Sequence, residues 1–321
     1  MSASLPQLDE RPPAVTEPAV DPRRRRRAAV VERGVVSDLE RGRPMMRATL
    51  GATHVLLLVF LVIVGLGPLL WLFKAATTPT RDVLRTPMAL WPHGLDLENI
   101  STAWNDAEIS KYFFNTLRIA LGSWLSQLFV ALTGGYVLGI LKPWYASMVT
   151  IMVLITLFVP PVVLLVPLFL TVLDLPIVGI SLLNSYWAIW LPAGASAFNV
   201  IVVKRFFENI PREIIEAATV DGAGTFRLFW SVVLPMSKPI IGVVSVFAVV
   251  ASWKDFLWPL LVLPDPAVQP LSVRLPALQR YVELDVFLAA LAISSVIPIA
   301  LFLVFQRLFL RGGALEGAVK G

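Results

Sequence analysis

Residues 51–73 read GATHVLLLVFLVIVGLGPLLWLF, a run without a single Asp, Glu, Lys or Arg. Crossing the hydrocarbon core of a bilayer takes ~20 apolar residues as an α-helix, because a helix satisfies its own backbone polar groups where no water can. This run meets that length. It begins too deep in the chain, and runs too long, for a cleavable signal whose apolar core is ~7–15 residues. We therefore expect an uncleaved anchor.

Working outward, comparable apolar stretches occupy residues 113–141, 148–173, 182–203, 240–262 and 286–305, which gives six candidate spans. The composition agrees: 57% of the 321 residues are hydrophobic and 15% charged, against roughly 45–50% and about 25% for a soluble domain. A water-soluble enzyme is thereby disfavoured. The chain holds no Cys, which excludes disulfides, thiolate metal sites and cysteine nucleophiles. Its two His, His54 and His93, stand too far apart for a helical zinc pair. Gly222-Ala223-Gly224-Thr225 lacks the lysine of a phosphate loop, so this chain is not expected to hydrolyse ATP, nor to bind a metal or cofactor.

Charge sets the expected orientation. With the N-terminus inside, 19 Lys and Arg fall on the inner side and 6 on the outer. Without the N-terminal tail the bias is still 9 to 6, which places both termini in the cytoplasm of a cell with the chain in its plasma membrane. Residues 1–50 carry Pro6, Pro12, Pro13, Pro18 and Pro22, then Arg23 to Arg27, and few large apolar groups, so they are expected to be a disordered cytoplasmic tail. The arginine run is read either as a topology signal in contact with anionic lipid or as a solvated tail. The net charge of +5 does not imply nucleic acid, because the basic residues flank membrane spans and no aromatic-basic surface accompanies them. The expected organisation is thus a tail at 1–50, a membrane domain at 51–310 and a cytoplasmic end at 311–321.

The longest inner loop, residues 204–238, carries the most local signal. Pro211 suits the first turn of a helix and Glu213 its positive end, while Gly222 and Gly224 are candidate stops. A second amphipathic segment follows at 225–234, which Pro235 is expected to end. The first helix presents Glu216 beside Ala217 and Ala218. Small residues let another protein approach the backbone closely, and a lone carboxylate locks orientation through a charge-assisted hydrogen bond. That describes a docking knob. Ala and Glu are also plain helix formers, and an ordinary surface helix fits equally well.

The spacing Glu216-Ala217-Ala218, Gly222, then Val232, Leu234 and Pro235 resembles the E-A-A-x-x-x-G-x9-I-x-L-P signature of permease subunits of binding-protein-dependent ABC importers, with Val232 for Ile. Asn115-Thr116-Leu117, Pro160-Pro161 with Pro167, Trp253 with Asp255-Phe256-Leu257-Trp258-Pro259-Leu260, and the ending Ala318-Val319-Lys320-Gly321 are similar to the carbohydrate-uptake branch, in particular its smaller maltose-type permease. The likeness covers residues 50–321. It implies an all-α membrane protein of the type I ABC importer fold, with six transmembrane helices and a cytoplasmic coupling helix between spans four and five. It further implies a sugar or sugar-like solute, a second permease subunit as heterodimer partner, and two ATP-hydrolysing subunits that use ATP and Mg. An extracytoplasmic solute-binding protein completes the assembly. Glu216, Ala217, Ala218, Asp221 and Gly222 become the ATPase contact, and Val232, Leu234 and Pro235 the return into the membrane.

Within the spans, Lys254 stands where the family pattern usually has an amide. Lys254 and Asp255 either line the pathway near a gate or snorkel while forming a structural ion pair. Pro160 and Pro161 free carbonyls four residues back and predict a kink, read either as a hinge for alternating access or as a fixed bend. Tryptophans near span ends are read as interfacial anchors. An ion-coupled secondary transporter is the competing reading; it would usually show an internal repeat and paired carboxylates deep in the membrane, and six spans with one intramembrane Asp weaken it. A membrane-embedded enzyme is disfavoured by the lack of any His, Cys or carboxylate cluster.

Overall fold

The computed structural model describes residues 44–89, 91 and 94–318. The expected tail up to residue 43, with its arginine run, and the final Val319-Lys320-Gly321 lie outside the described residues. The chain divides into two compact units, residues 1–66 and 67–321. Helix α1 (Pro44–Ala76) supplies the described part of the first. There Leu56, Leu58, Phe60 and Leu61 all stand exposed, as suits a helix solvated by lipid.

The second unit is helical throughout its described elements. After α2 (Thr80–Arg85) and α3 (Glu98–Asn105) comes α4 (Ile109–Tyr136), prolonged by a π turn over Val137–Leu141. At ~1.5 Å per residue, this rod is long enough to cross a bilayer unbroken, as is the Ala48–Ala76 portion of α1. The rest of the bundle is built around α4, which packs against α7 (Trp187–Gly194), α8 (Ala197–Glu208) and α12 (Lys238–Lys254). Close approach of α8 depends on Gly135: a Cβ there would sit 2.6 Å from Val203 Cγ1. Small residues at such crossings are the usual means of packing helices where lipid removes the hydrophobic drive.

The third and fourth spans are broken, each where backbone chemistry requires it. α5 (Ala146–Thr156) and the segment through α6 (Leu165–Leu173) meet at 101°. Pro160 and Pro161 cannot donate to Thr156 and Leu157, so the helix stops there, and the Thr156 carbonyl accepts instead from the Val159 N–H at 3.2 Å. α7 and α8 meet at 42°, with the Ser196 hydroxyl accepting the Asn199 N–H at 3.4 Å as the new helix's cap.

The fifth span corrects the sequence reading, which runs it unbroken over residues 240–262. α12 ends at Lys254; Asp255 is extended (φ −67°, ψ 123°), and α13 (Leu257–Val262) restarts the helix. Pro259 is the physical reason. Its ring would clash with the carbonyl four residues back and it has no N–H to offer it. That carbonyl belongs to Asp255, and the Ser272 hydroxyl takes it at 2.6 Å. Two indoles pin the broken ends, Trp253 donating to the Ser294 carbonyl at 3.2 Å and Trp258 to that of Ala188 at 3.0 Å. Trp258 is therefore a buried anchor and not the interfacial one expected of it.

α14 (Leu271–Leu278) and α15 (Leu284–Ala318) complete the chain, with the apolar portion Leu284–Ala300 at the start of α15. The loop before α14 is stitched to α4. Buried Asn115 donates to the carbonyls of Ala267 (2.9 Å) and Gln269 (3.1 Å) and accepts from Tyr186 Oη at 2.9 Å, while Thr116 Oγ1 accepts the Leu271 N–H at 2.8 Å. Apolar cores flank both ends of α4. One gathers Tyr112, Trp253, Leu275 and Ala289, the other Tyr136, Val203, Phe207 and Phe229.

Candidate functional site

The loop at 204–238 folds into α9 (Arg212–Val220), α10 (Thr225–Leu228), a π turn (Phe229–Val233) and α11 (Leu234–Met236). Pro211 precedes the first turn of α9 as its cap residue (φ −54°, ψ 129°), one place earlier than expected, and Glu213 lies in that turn. Ile215 and Ala218, three residues apart and so on one face, pack against the core of Phe207, Ile210 and Leu228. Glu216, Ala217, Thr219 and Val220 face out and are exposed.

The C-terminus of α9 is closed by a two-bond lock. The Ala223 N–H reaches back to the Ala218 carbonyl at 2.9 Å and the Gly222 N–H to that of Thr219 at 3.0 Å. This is the Schellman arrangement, and it requires a left-handed residue just past the cap. Gly222 supplies it at φ +81°, after Asp221 at the cap position. The spacing from Glu216 to Gly222 is thus the length of helix from the exposed carboxylate to its stop.

The return to the bundle corrects one expectation. Pro235 does not end the second segment; the helical backbone runs on through it to Met236, and the 78° break falls at Ser237. Val233 is fully buried, Val232 and Leu234 are half-buried, and Pro235 is exposed. A connection the sequence did not disclose joins this segment to α4: Tyr136 Oη donates to the Thr225 carbonyl at 2.8 Å, and its ring lies 4.9 Å from that of Phe229. The carboxylate of Glu208, at the end of α8, gathers Lys204 Nζ at 2.7 Å, Arg205 Nη1 at 3.3 Å and Lys142 Nζ at 3.9 Å. The Lys204 hydrogen bond chiefly holds the Glu208 carboxyl below its usual range, against the opposing effect of burial. This cluster joins the ends of the second and fourth apolar segments beside α9.

A cavity of about 670 Å³ opens beside the break in the fifth span. Lys254, Asp255 and Ser252 come from the α12–α13 break, Ser123 and Gln127 from α4, and Pro192 from α7. Ser123 lies 14 residues beyond Ile109, ~21 Å along α4, so the cavity sits at the middle of the rod. The carboxylate of Asp255 has the backbone N–H groups of Trp258 and Phe256 as its polar neighbours. Among the described residues, the ion pairs are those of Glu108 with Lys111 and of the Glu208 cluster, and neither Lys254 nor Asp255 belongs to one. Pro160 and Pro161 are not on the cavity wall. Sequence reading missed Ser123, Gln127 and Asn199, whose amide donates to Gln127 Oε1 at 2.8 Å. The available signal was the recurrence of polar residues at 116, 123 and 127 on one face of an apolar helix.

Comparison with known proteins bears on both regions. Residues 131–312 match the family described as binding-protein-dependent transport system inner membrane component. The chain is 30% identical over 284 residues to the probable ABC transporter permease protein YurM of Bacillus subtilis, covering 87% of this chain and 92% of that one. It is 29% identical over 269 residues to the sn-glycerol-3-phosphate transport system permease protein UgpE of Yersinia enterocolitica, covering 81% and 94%. A solved bacterial ABC transporter involved in the import of the acidic polysaccharide alginate contains a chain that superposes with a TM-score of 0.73 at 21% identity, over 85% of this chain and 99% of that one.

Proposed function

Since the chain belongs to the binding-protein-dependent transport system inner membrane components, we propose that it forms one half of the translocation pathway of an ATP-driven importer for a sugar or sugar-like solute. The observation that carries the mechanism is α9: a short, exposed helix, anchored through Ile215 and Ala218 and closed at a left-handed Gly222, presenting Glu216 outward. In this reading α9 is the coupling helix of the 204–238 loop. Glu216, Ala217 and Asp221 enter a groove on an ATP-hydrolysing partner, which binds ATP and Mg, while this chain performs no covalent step.

Closure of the ATPase pair pushes α9, and the push reaches the bundle by two rigid connections. One is the Tyr136 contact with Thr225 and Phe229, on α4; the other is the Glu208 cluster at the foot of α8. Val232, Leu234 and Pro235 fix the return of the chain. Both helices bear on the cavity's neighbourhood, so displacement of α9 exchanges inward- and outward-open states of a permease pair. The inner excess of Lys and Arg supports cytoplasmic termini. The partners in this reading are a second, different permease, two ATPases and an extracytoplasmic binding protein that delivers solute.

The test is purification of the chain with its partners and reconstitution into vesicles. Solute uptake that needs both ATP and the binding protein is expected. Uphill movement by this chain alone, driven by an ion gradient, would replace the reading with the secondary-transporter alternative.

A further inference from the structure

α4 and the segment that returns through α10, its π turn and α11 enclose an apolar groove of about 560 Å³, which shares no lining residue with the cavity at the fifth-span break. One wall is α4 from Leu125 to Tyr136, carried on by its π turn to Leu141; the other is Thr225, Phe226, Phe229, Trp230 and Leu234. No charged side chain lines it. Two of its three hydroxyls are spent within the protein, Thr133 Oγ1 donating to the Phe129 carbonyl at 2.6 Å and Tyr136 Oη to that of Thr225 at 2.8 Å. A sugar, a nucleotide or a polar peptide would leave its own polar groups unpaired there. Phe129, Phe226 and Trp230 are nonetheless 70%, 76% and 53% exposed, and apolar walls without contact atoms forfeit dispersion energy.

Size and charge choose the filling. From Leu125 to Leu141 the groove runs ~24 Å along the rod, longer than the ~15 Å that one leaflet contributes to a hydrocarbon core of ~30 Å. Two turns of α-helix, ~11 Å long and ~10 Å across, would take about 850 Å³, more than the groove holds; a single hydrocarbon chain is thinner. The charges on both walls are of one sign. Residues 121–142 contain Lys142 as their only charged side chain, and residues 222–238 only Arg227 and Lys238. Lys142 shares Glu208 with two other cations, whereas exposed Arg227 and Lys238 belong to no ion pair among the described residues. The nearby carboxylates, Glu208, Glu213, Glu216 and Asp221, lie on α8, on α9 or at its cap, outside both walls. Cationic residues mixed with aromatic ones at the inner end of a span suit an anionic lipid headgroup.

We infer that this groove seats one acyl chain of an anionic phospholipid from the inner leaflet, with Arg227 and Lys238 serving its headgroup, and that the seated chain braces the joint through which coupling passes. Tyr136 and the Thr225 to Phe229 turn, the two members of that joint, are themselves groove walls. A chain packed on both holds them as one body when α9 is pushed. The inference rests on the importer reading above for its inner side and for the push.

The experiment uses the complete complex in phosphatidylcholine vesicles containing phosphatidylglycerol with a diazirine on one acyl chain, and locates the adducts by mass spectrometry after illumination. Labelling concentrated at 125–141 and 225–234, and displaced by unlabelled phosphatidylglycerol more readily than by phosphatidylcholine, is expected. Arg227→Gln with Lys238→Gln should cut that preference about fivefold or more. Thr133→Trp, which fills the groove from within, should abolish the labelling. Solute moved per ATP hydrolysed should fall for the parent when phosphatidylglycerol is left out, and should be the same in both membranes for Thr133→Trp. Labelling spread evenly over the exposed faces of α1 and α4, equal displacement by the two lipids, cross-linking of a partner subunit's helix in the groove, or parent coupling indifferent to phosphatidylglycerol would overturn the inference. ATP- and binding-protein-dependent uptake that persists beside any of those results would leave the importer reading standing and remove this one alone.

Discussion

Replacing Gly222 by alanine isolates the contribution of one backbone angle to coupling. No atom lies within 4 Å of the place an added Cβ would occupy, so the substitution introduces no clash and acts only through φ, which is +81°. A non-glycine residue in the left-handed region costs roughly 1–2 kcal/mol, equivalent to a factor of about 5–30 in a local equilibrium. The strain is relieved by letting the end of α9 unwind, which gives up the Ala223-to-Ala218 and Gly222-to-Thr219 bonds. Gly224 provides the control: it is just as open but has φ −68°, which any residue adopts. In the reconstituted complex, Gly222→Ala should speed amide exchange at Ala223 by about 5–30-fold and lower the solute moved per ATP hydrolysed, whereas Gly224→Ala should leave both near the parent. Gly222→Asn should fall between, since asparagine tolerates this region better than alanine. Equal exchange rates and equal coupling in the two alanine variants would refute the reasoning.

Glu216→Lys should abolish uptake while the protein still inserts and assembles; normal transport by this variant would remove α9 from the coupling role. Asn115→Leu strips the donors from the Ala267 and Gln269 carbonyls and the acceptor from Tyr186, which should destabilise the complex by about 1–3 kcal/mol for each buried group left unpaired, read as a lower unfolding temperature; an unchanged temperature would contradict the stitched loop. The Glu208 carboxyl lies below its ordinary value of 4.5, chiefly through Lys204, so its contribution to stability is complete above that pH and is lost as pH falls through the lowered value. Glu208→Gln should therefore unfold more easily than the parent at neutral pH, with the difference narrowing on acidification below pH 4.5; a difference that does not depend on pH would show that the charge is idle.

The membrane class and the shape of the 204–238 loop were legible because both are local. Apolar length marks a helix in lipid, and proline, glycine and acidic residues at fixed offsets mark where a short helix starts and stops. Even the left-handed end of α9 was signalled, since Gly222 stood at the stop position. The break at Asp255 was missed for a definable reason. A hydropathy window sums side chains, and Pro259 contributes to that sum as one more unremarkable residue, although it removes the N–H that Asp255 needs. Lys254 and Asp255 were singled out, but the rest of the cavity wall was missed for another: Ser123 and Gln127 are separated from Ser252 and Lys254 by more than a hundred positions, and only packing of α12 on α4 brings them to one wall. The Tyr136 contact with Thr225, 89 residues away, is likewise a product of tertiary packing, with no spacing rule to announce it.

Ser123 and Ser252, whose buried Oγ atoms have no protein partner, bear on what fills the cavity beside the fifth-span break. A hydroxyl stranded in a dry apolar medium is costly, whereas the same hydroxyl facing water is not. At about 670 Å³, the cavity offers far more room than the ~30 Å³ share of one water. That is room for water at both hydroxyls, and in the importer reading proposed above an arriving solute gives up its hydration shell to a lining suited to replace it.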